Sequence, residues 1–126
     1  YEEPNNDSIV LRAVYGQTSV LFTGDAEREA ESDVLERFAQ RVDCDVLKAG
    51  HHGSSTSSTD AFVAAASPQY AVISCGAGNS YGHPSGKTLE TYAKYKVTVL
   101  RTDLSGSIVF TTDGTTLSYQ TQEDAA

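Results

Sequence analysis

Short apolar runs and four-spaced apolar stripes take turns along this chain. Ser8-Ile9-Val10-Leu11-Arg12-Ala13-Val14-Tyr15 is β-branched and aromatic, with partial alternation. Gly16-Gln17 marks a turn, and Thr18 to Thr23 reads as the second strand of a hairpin. From Ala26 to Val42 the period changes. Ala26, Ala30, Val34 and Phe38 fall at four-residue spacing, beside Leu35, Ala39 and Val42, as in an amphipathic helix with one buried stripe. Its acidic start, Glu27, Glu29 and Glu31, suits the positive end of a helix dipole. Asp45 to Ala49 reads as a short strand, and Gly50 to Ser58 as a small, polar loop. Thr59-Asp60 opens a second helix, Ala61 to Ala66, which Ser67-Pro68 ends. Tyr70 to Cys75 is a nearly continuous apolar strand of the kind buried on both faces. A glycine-rich loop follows, then a helix over Gly86 to Lys96 and a strand over Val97 to Arg101. Ser107 to Thr112 and Thr116 to Gln120 flank Asp113-Gly114, a strong hairpin signal. The order β-β-α-β-α-β-α-β-β-β predicts an α/β layered fold, with about three helices on a mixed β-sheet.

A length of 126 residues allows one domain with a real core. The opening Tyr1 to Asp7 has no Met and reads as a linker or a cut into a longer protein. Residues 1–6 and 121–126 are expected to be frayed. No apolar run approaches a membrane span, and no signal peptide is visible. The net charge of −8 argues against nonspecific nucleic-acid binding through a basic patch. It leaves room for a phosphate substrate held by metal ions. Cys44 and Cys75 make no disulfide framework and read as two half-buried thiols.

The chemistry gathers at strand ends. One apolar run ends on Thr23-Gly24-Asp25. The next leads into Lys48-Ala49-Gly50-His51-His52-Gly53-Ser54. The third histidine sits in Tyr81-Gly82-His83-Pro84, after the run Tyr70 to Cys75. Strand ends are where open α/β sheets place ligands. Carboxylate and imidazole together suit Zn²⁺, Mn²⁺ or Fe²⁺, and a carboxylate can bridge two ions. Blander readings stand beside this one. Asp25 could be a helix N-cap, His51-His52 a pair of hydrogen-bonded loop histidines, and His83 a helix-flanking residue next to Pro84. Ser54, Ser55, Ser57 and Ser58 follow the histidines, but there is no G-x-S-x-G elbow for a serine hydrolase. The loop Gly76 to Gly82 carries no phosphate-binding fingerprint.

Several segments together resemble a known family. They are Asn5-Asn6-Asp7-Ser8-Ile9-Val10-Leu11, Leu21 to Glu27, Asp45 to Ser54, Tyr70 to Gly76, Tyr81 to Pro84, Arg101-Thr102-Asp103 and Gly106-Ser107-Ile108. Their order resembles the metallo-β-lactamase-like domain of the ComEC family, the DNA-uptake channel proteins of natural competence, over about Asn5 to Gly114. The resemblance implies half of a metallo-β-lactamase-type αβ/βα sandwich. The family's H-x-H-x-D-H motif and a further histidine ligand belong to the preceding half. This chain has no H-x-H. What corresponds here is the bridging aspartate, Asp25, and the last metal histidine, which is His51 by the family pattern, with His52 as the alternative. His83 matches the family's Gly-His-Pro histidine, with a substrate or leaving-group role. The resemblance further implies a metal-dependent phosphodiesterase or nuclease acting on DNA, with Zn²⁺ or Mn²⁺ as two ions in the complete domain. Expected partners are DNA, the missing N-terminal half, and a second copy through an exposed sheet or helix face. The parent would be a cell-membrane protein with this segment outside the bilayer. A competing reading is a non-catalytic module that associates through its sheet.

Overall fold

The computed structural model describes residues 1–123. Five strands form the main sheet in the order β1-β2-β3-β4-β5. They are β1 (Leu11–Tyr15), β2 (Thr18–Phe22), β3 (Val46–Lys48), β4 (Tyr70–Ile73) and β5 (Thr98–Arg101). β1 and β2 are the expected antiparallel hairpin, and β2 through β5 run parallel. Helices α1 (Arg28–Phe38), α2 (Asp60–Ala66) and α3 (Gly86–Lys94) link the successive parallel strands. A single turn of helix, α4 (Thr102–Ser105), follows β5. The hairpin of β6 (Ile108–Thr112) and β7 (Leu117–Thr121) closes the fold. The α/β architecture on a mixed sheet is the one expected, with α4 as an unanticipated fourth helix.

Alternation decides which residues meet. Leu21, Leu47 and Ala71 are register partners in one row and are fully buried. Against them pack Phe62, Val63 and Ala66 of α2 and Tyr92 of α3. Burying a side chain such as Phe62 contributes roughly 1.5–3 kcal/mol. The opposite row carries Val20, Val46 and Tyr70, then Phe22, Lys48 and Val72. The β6–β7 hairpin stands over part of that face. The Tyr70 ring meets Phe110 at 5.5 Å and Tyr119 at 5.2 Å, centroid to centroid. A cleft of about 230 Å³ between Phe22, Val46, Val72, Ile108 and Phe110 remains open.

Several boundaries differ from the sequence reading, each for a local reason. The helix expected over Ala26 to Val42 is shorter and breaks into a 3₁₀ turn at Ala39–Arg41. Its start is set by Asn6, whose buried Oδ1 accepts from the backbone N–H groups of Glu27 (2.9 Å) and Ala30 (3.2 Å). Asn6 is therefore no linker residue, although it lies in the segment read as one. Phe38, expected on the buried stripe, is exposed, and Glu31 is buried. The Glu31 carboxylate accepts from the N–H groups of Ser58 (2.7 Å) and Thr59 (2.9 Å), which ties α1 to the serine-rich loop. Helix α3 stops at Lys94, because Lys96 is left-handed at φ 59°. β1 begins at Leu11 and is mostly exposed, so the Ser8–Tyr15 run is not covered on both faces. At the C-terminal end Gln122 donates to the Ser107 carbonyl (2.8 Å) and Glu123 to that of Ser105 (2.9 Å). The rest of the tail expected to fray, 124–126, lies outside the described residues. Both cysteines are free thiols, Cys44 buried and Cys75 half-buried. Burial, with Asp45 and Asp43 nearby, pushes the Cys44 thiol up to about 12.

Candidate functional site

β2, β3 and β4 run parallel, so their C-terminal ends share one edge of the sheet. Asp25 follows β2, His51 and His52 follow β3, and Cys75 and His83 follow β4. All five line one open pocket of about 450 Å³, together with Gly76, Asn79 and Tyr81. This is the crevice that parallel α/β sheets offer to ligands. The four site residues expected from the sequence therefore come together.

Asp25 is held by its backbone. Its N–H donates to the Ser8 hydroxyl at 3.0 Å. That hydroxyl in turn donates to the Asn5 carbonyl at 2.7 Å. Asp25 is not the cap of α1. The cap position is Glu27, which makes no side-chain cap bond. The Asp25 carboxylate is thus free to face the pocket. Lys48, at the end of β3, lies close enough for their charges to interact. Burial pushes its ammonium down, and Asp25 opposes that shift.

His51 and His52 both have left-handed backbones, at φ 50° and 55°. Such a conformation is uncommon for a side-chain-bearing residue and costs energy that the surroundings must offset. Three bonds hold the turn. His51 N–H donates to the Gly24 carbonyl at 3.0 Å, Ser54 N–H to the His51 carbonyl at 3.0 Å, and Ser85 N–H to the Gly53 carbonyl at 2.9 Å. Gly53 has φ 82°, and a Cβ there would sit 2.8 Å from the Pro84 side chain. Glycine is required at that contact, which locks the His51-His52 turn against the His83-Pro84 segment.

The two imidazoles have different partners. His52 Nδ1–H donates to the Ser74 carbonyl at 2.8 Å. That bond leaves its Nε2 bare, 3.7 Å from Asp25 Oδ1. His51 Nδ1–H donates to the Thr56 hydroxyl at 3.4 Å, which itself donates to Glu27 Oε2 at 2.9 Å, and that carboxylate oxygen lies 3.0 Å from His51 Nδ1. Both rings therefore keep Nε2 for another partner. A metal-ligating histidine usually donates its second nitrogen to a carboxylate or carbonyl in this way. The imidazole that meets Asp25 is His52, the alternative in the sequence reading, and His51 turns toward Glu27. Among the described residues, no three His, Cys, Asp or Glu side chains converge as they would around an ion. The donor chemistry fits part of a metal shell.

His83 lies 5.8 Å from the His51 ring and 5.7 Å from the Tyr81 ring, between centroids. Its Nδ1 is buried and has no hydrogen-bond partner among the described residues. Burial first, then the nearby His51 and His52, push its pKa below the ordinary imidazole value. Asn79 organises the loop that carries it. Asn79 Oδ1 accepts from the N–H groups of Tyr81 and His83, each at 3.1 Å. Asn79 Nδ2 donates to the carbonyls of Gly76 (2.9 Å) and His83 (2.7 Å).

Glu27, Asn79, Tyr81 and Cys75 were not among the residues expected at the site. Glu27 stands two positions after Asp25, within Thr23-Gly24-Asp25-Ala26-Glu27, and reads equally well as a helix-start acid. Asn79 and Tyr81 sit in a glycine-rich loop where sequence gives no direction. Cys75 reads as the end of an apolar strand.

The metallo-beta-lactamase superfamily matches residues 1–77. Competence protein ComA of Neisseria gonorrhoeae is 40% identical over 108 residues, 86% of this chain and 16% of that protein. ComE operon protein 3 of Bacillus subtilis (strain 168) is 42% identical over 106 residues, 84% of this chain and 14% of that protein. Recombination protein 2 of Haemophilus influenzae is 36% identical over 104 residues, 82% of this chain and 13% of that protein. The chain thus spans at most 16% of the length of these relatives. No solved structure matches it. The matched superfamily, the strand-end pocket and the Asp-His pair agree: this chain belongs to the metallo-β-lactamase superfamily, and its likeness to competence proteins covers most of its length.

Proposed function

We propose that this chain carries part of the metal site of a metallo-β-lactamase-type phosphodiesterase that cleaves DNA during competence. The observation that supports it is the meeting of Asp25, His51, His52 and His83 in one pocket at the ends of parallel strands. Asp25 and His52 would hold a divalent ion, Zn²⁺ or Mn²⁺, and His51 could hold a second. An ion there supplies Lewis acidity at a phosphodiester. The protein's own part is orientation. Ser74 holds Nδ1 of His52, Thr56 with Glu27 behind it holds Nδ1 of His51, and Ser8 fixes the Asp25 backbone. His83 stands beside them as a hydrogen-bonding partner for the substrate or its leaving oxygen, and burial disfavours its protonated form. A zinc site takes three or four protein ligands, so the remaining ligands belong to the preceding half of the domain. The parent protein is membrane-associated in this reading. No helix among the described residues is long and apolar enough to cross a membrane.

The test is calorimetric titration of this chain with Zn²⁺ and Mn²⁺, paired with cleavage assays on single-stranded and duplex DNA. Expected are weak binding, lost in Asp25→Ala and reduced in His52→Ala, and negligible cleavage by this chain alone. Chelator-sensitive cleavage by the chain alone, lost in Asp25→Ala, would contradict the incomplete-site reading. Metal binding indifferent to both substitutions would contradict the assignment of the ligands.

A second reading is an association module, and the bare sheet face favours it. Leu11, Tyr15 and Phe22, in the same rows as Val20, are all exposed. In this reading the face is covered by the other half of the domain or by a second copy.

A further inference from the structure

The pocket has an aromatic lip that the metal chemistry does not use. Tyr81 is 82% exposed. Its backbone N–H is pinned to Asn79 Oδ1, and its ring lies against His83 at an interplanar angle of 32°. His83 in turn faces His51, so three rings step from the pocket floor to its mouth at centroid spacings of 5.8 and 5.7 Å. Tyr81 stands beside His83, and the ring's high exposure leaves it open to an incoming group. Around it, Gly76, Gly78 and Gly82 have no neighbour within 4 Å of a Cβ position, so nothing crowds an incoming planar group. A lone exposed tyrosine needs no explanation. One at the mouth of the pocket that gathers the histidines, at the end of a row of three rings, does.

We propose that Tyr81 is a stacking platform for an unpaired nucleobase next to the phosphodiester that the histidines engage. The proposal rests on the phosphodiesterase reading above and adds to it the kind of strand the site takes. Every base has a π-face, so stacking on an aromatic side chain is tolerant of sequence. A base inside a duplex already has both faces covered by its neighbours. The platform therefore favours single-stranded over duplex nucleic acid. It also compensates for the chain's net charge of −8, which opposes backbone binding.

The experiment follows the aromatic resonances of the whole chain by NMR, with Zn²⁺ present. The ligands are a thymidine tetranucleotide, an abasic tetramer of equal charge, and a short duplex. Wild type is compared with Tyr81→Phe and Tyr81→Ala, which leave the backbone bond to Asn79 in place. Expected is an upfield shift of the Tyr81 ring protons with the tetranucleotide and none with the abasic strand or the duplex. Tyr81→Ala should weaken tetranucleotide binding about 5- to 100-fold and leave abasic binding unchanged, while Tyr81→Phe keeps wild-type affinity. The stacking proposal fails if Tyr81→Ala changes nothing, weakens both ligands equally, or is matched by Tyr81→Phe. If in those cases the His51, His52 and His83 resonances still respond to both strands, the phosphodiester reading survives without it. If no resonance responds to any ligand, the proposal falls together with the reading it rests on.

Discussion

Asn6 carries three hydrogen bonds from a buried position. Its Oδ1 serves two N–H groups at the start of α1, and its Nδ2 donates to Glu29 Oε2 at 3.2 Å. It does for the helix what a local cap would do, from another segment of the chain. Asn6→Ala is expected to cost about 1–3 kcal/mol, since it strands buried N–H groups. Urea denaturation measures it, with Asn6→Asp as the variant that keeps the acceptor. Glu27 has a comparable place at the site, accepting from the Thr56 hydroxyl and lying 3.0 Å from His51 Nδ1. In the complete domain, Glu27→Gln should lower divalent-metal affinity about 10- to 100-fold, the usual cost of losing a carboxylate behind a ligating histidine. A competitive chelator titration reads it, and unchanged affinity would remove Glu27 from the site. Glu31 gives a pH dependence. Burial raises its pKa, and its two N–H bonds only partly oppose that. A raised folded-state pKa means a contribution that is full below the unfolded value and lost as pH rises through the folded one. Wild type should therefore lose stability relative to Glu31→Gln as pH rises from about 4 toward neutrality. Denaturation of both proteins across that range checks the sign, because the other carboxylates cancel in the difference.

At the scale of elements, turns decide more than strands do. The β1–β2 turn packs on the β6–β7 turn. Gln17 N–H donates to the Gly114 carbonyl at 2.6 Å, and a Cβ on Gly16 would fall 2.4 Å from that same oxygen. Gly16 also has φ 59°. Gly16→Ala therefore meets both backbone strain and a collision with backbone. It should destabilise the protein by about 1–3 kcal/mol and loosen the hairpin from the sheet. Hydrogen exchange at Gln17 and Thr112 would report that loosening directly. The Asp113-Gly114 turn is the element most fully readable beforehand. Asp113 Oδ1 accepts from the N–H groups of Thr115 (2.9 Å) and Thr116 (2.7 Å), a local arrangement that composition alone announces. The His51-His52 turn is the opposite case. Its left-handed residues are held by Gly24 and by Pro84-Ser85, two places far apart in the chain.

For the whole molecule, the two faces of the sheet differ. One is sealed by α2 and α3. The other has a short hairpin over one end and an open apolar cleft beside it. With a charge of −8, copies repel one another while the bare face attracts, so association should strengthen with added salt as the repulsion is screened. Sedimentation velocity at low and high salt tests this. A monomer at high concentration under both conditions would mean that the exposed β1 edge and the cleft are not an interface between copies.

The sequence by itself determined the order of the strands and of the first three helices, the hairpin at Asp113-Gly114, the strand-end placement of Asp25, His51, His52 and His83, and the superfamily. These follow from periodicity, turn chemistry and short motifs, all of which act within a few residues. Only the tertiary structure decided which imidazole meets Asp25, that Ser74 orients His52 and Glu27 lies against His51, that Asn6 starts α1, and that Glu31 rather than Phe38 is buried. Each of those depends on a partner 21 or more positions away in the chain, such as Ser74 for His52 or Asn6 for Glu27. Local pattern carries no signal for such pairs, because the fold that brings them together is set by burial across the whole sheet.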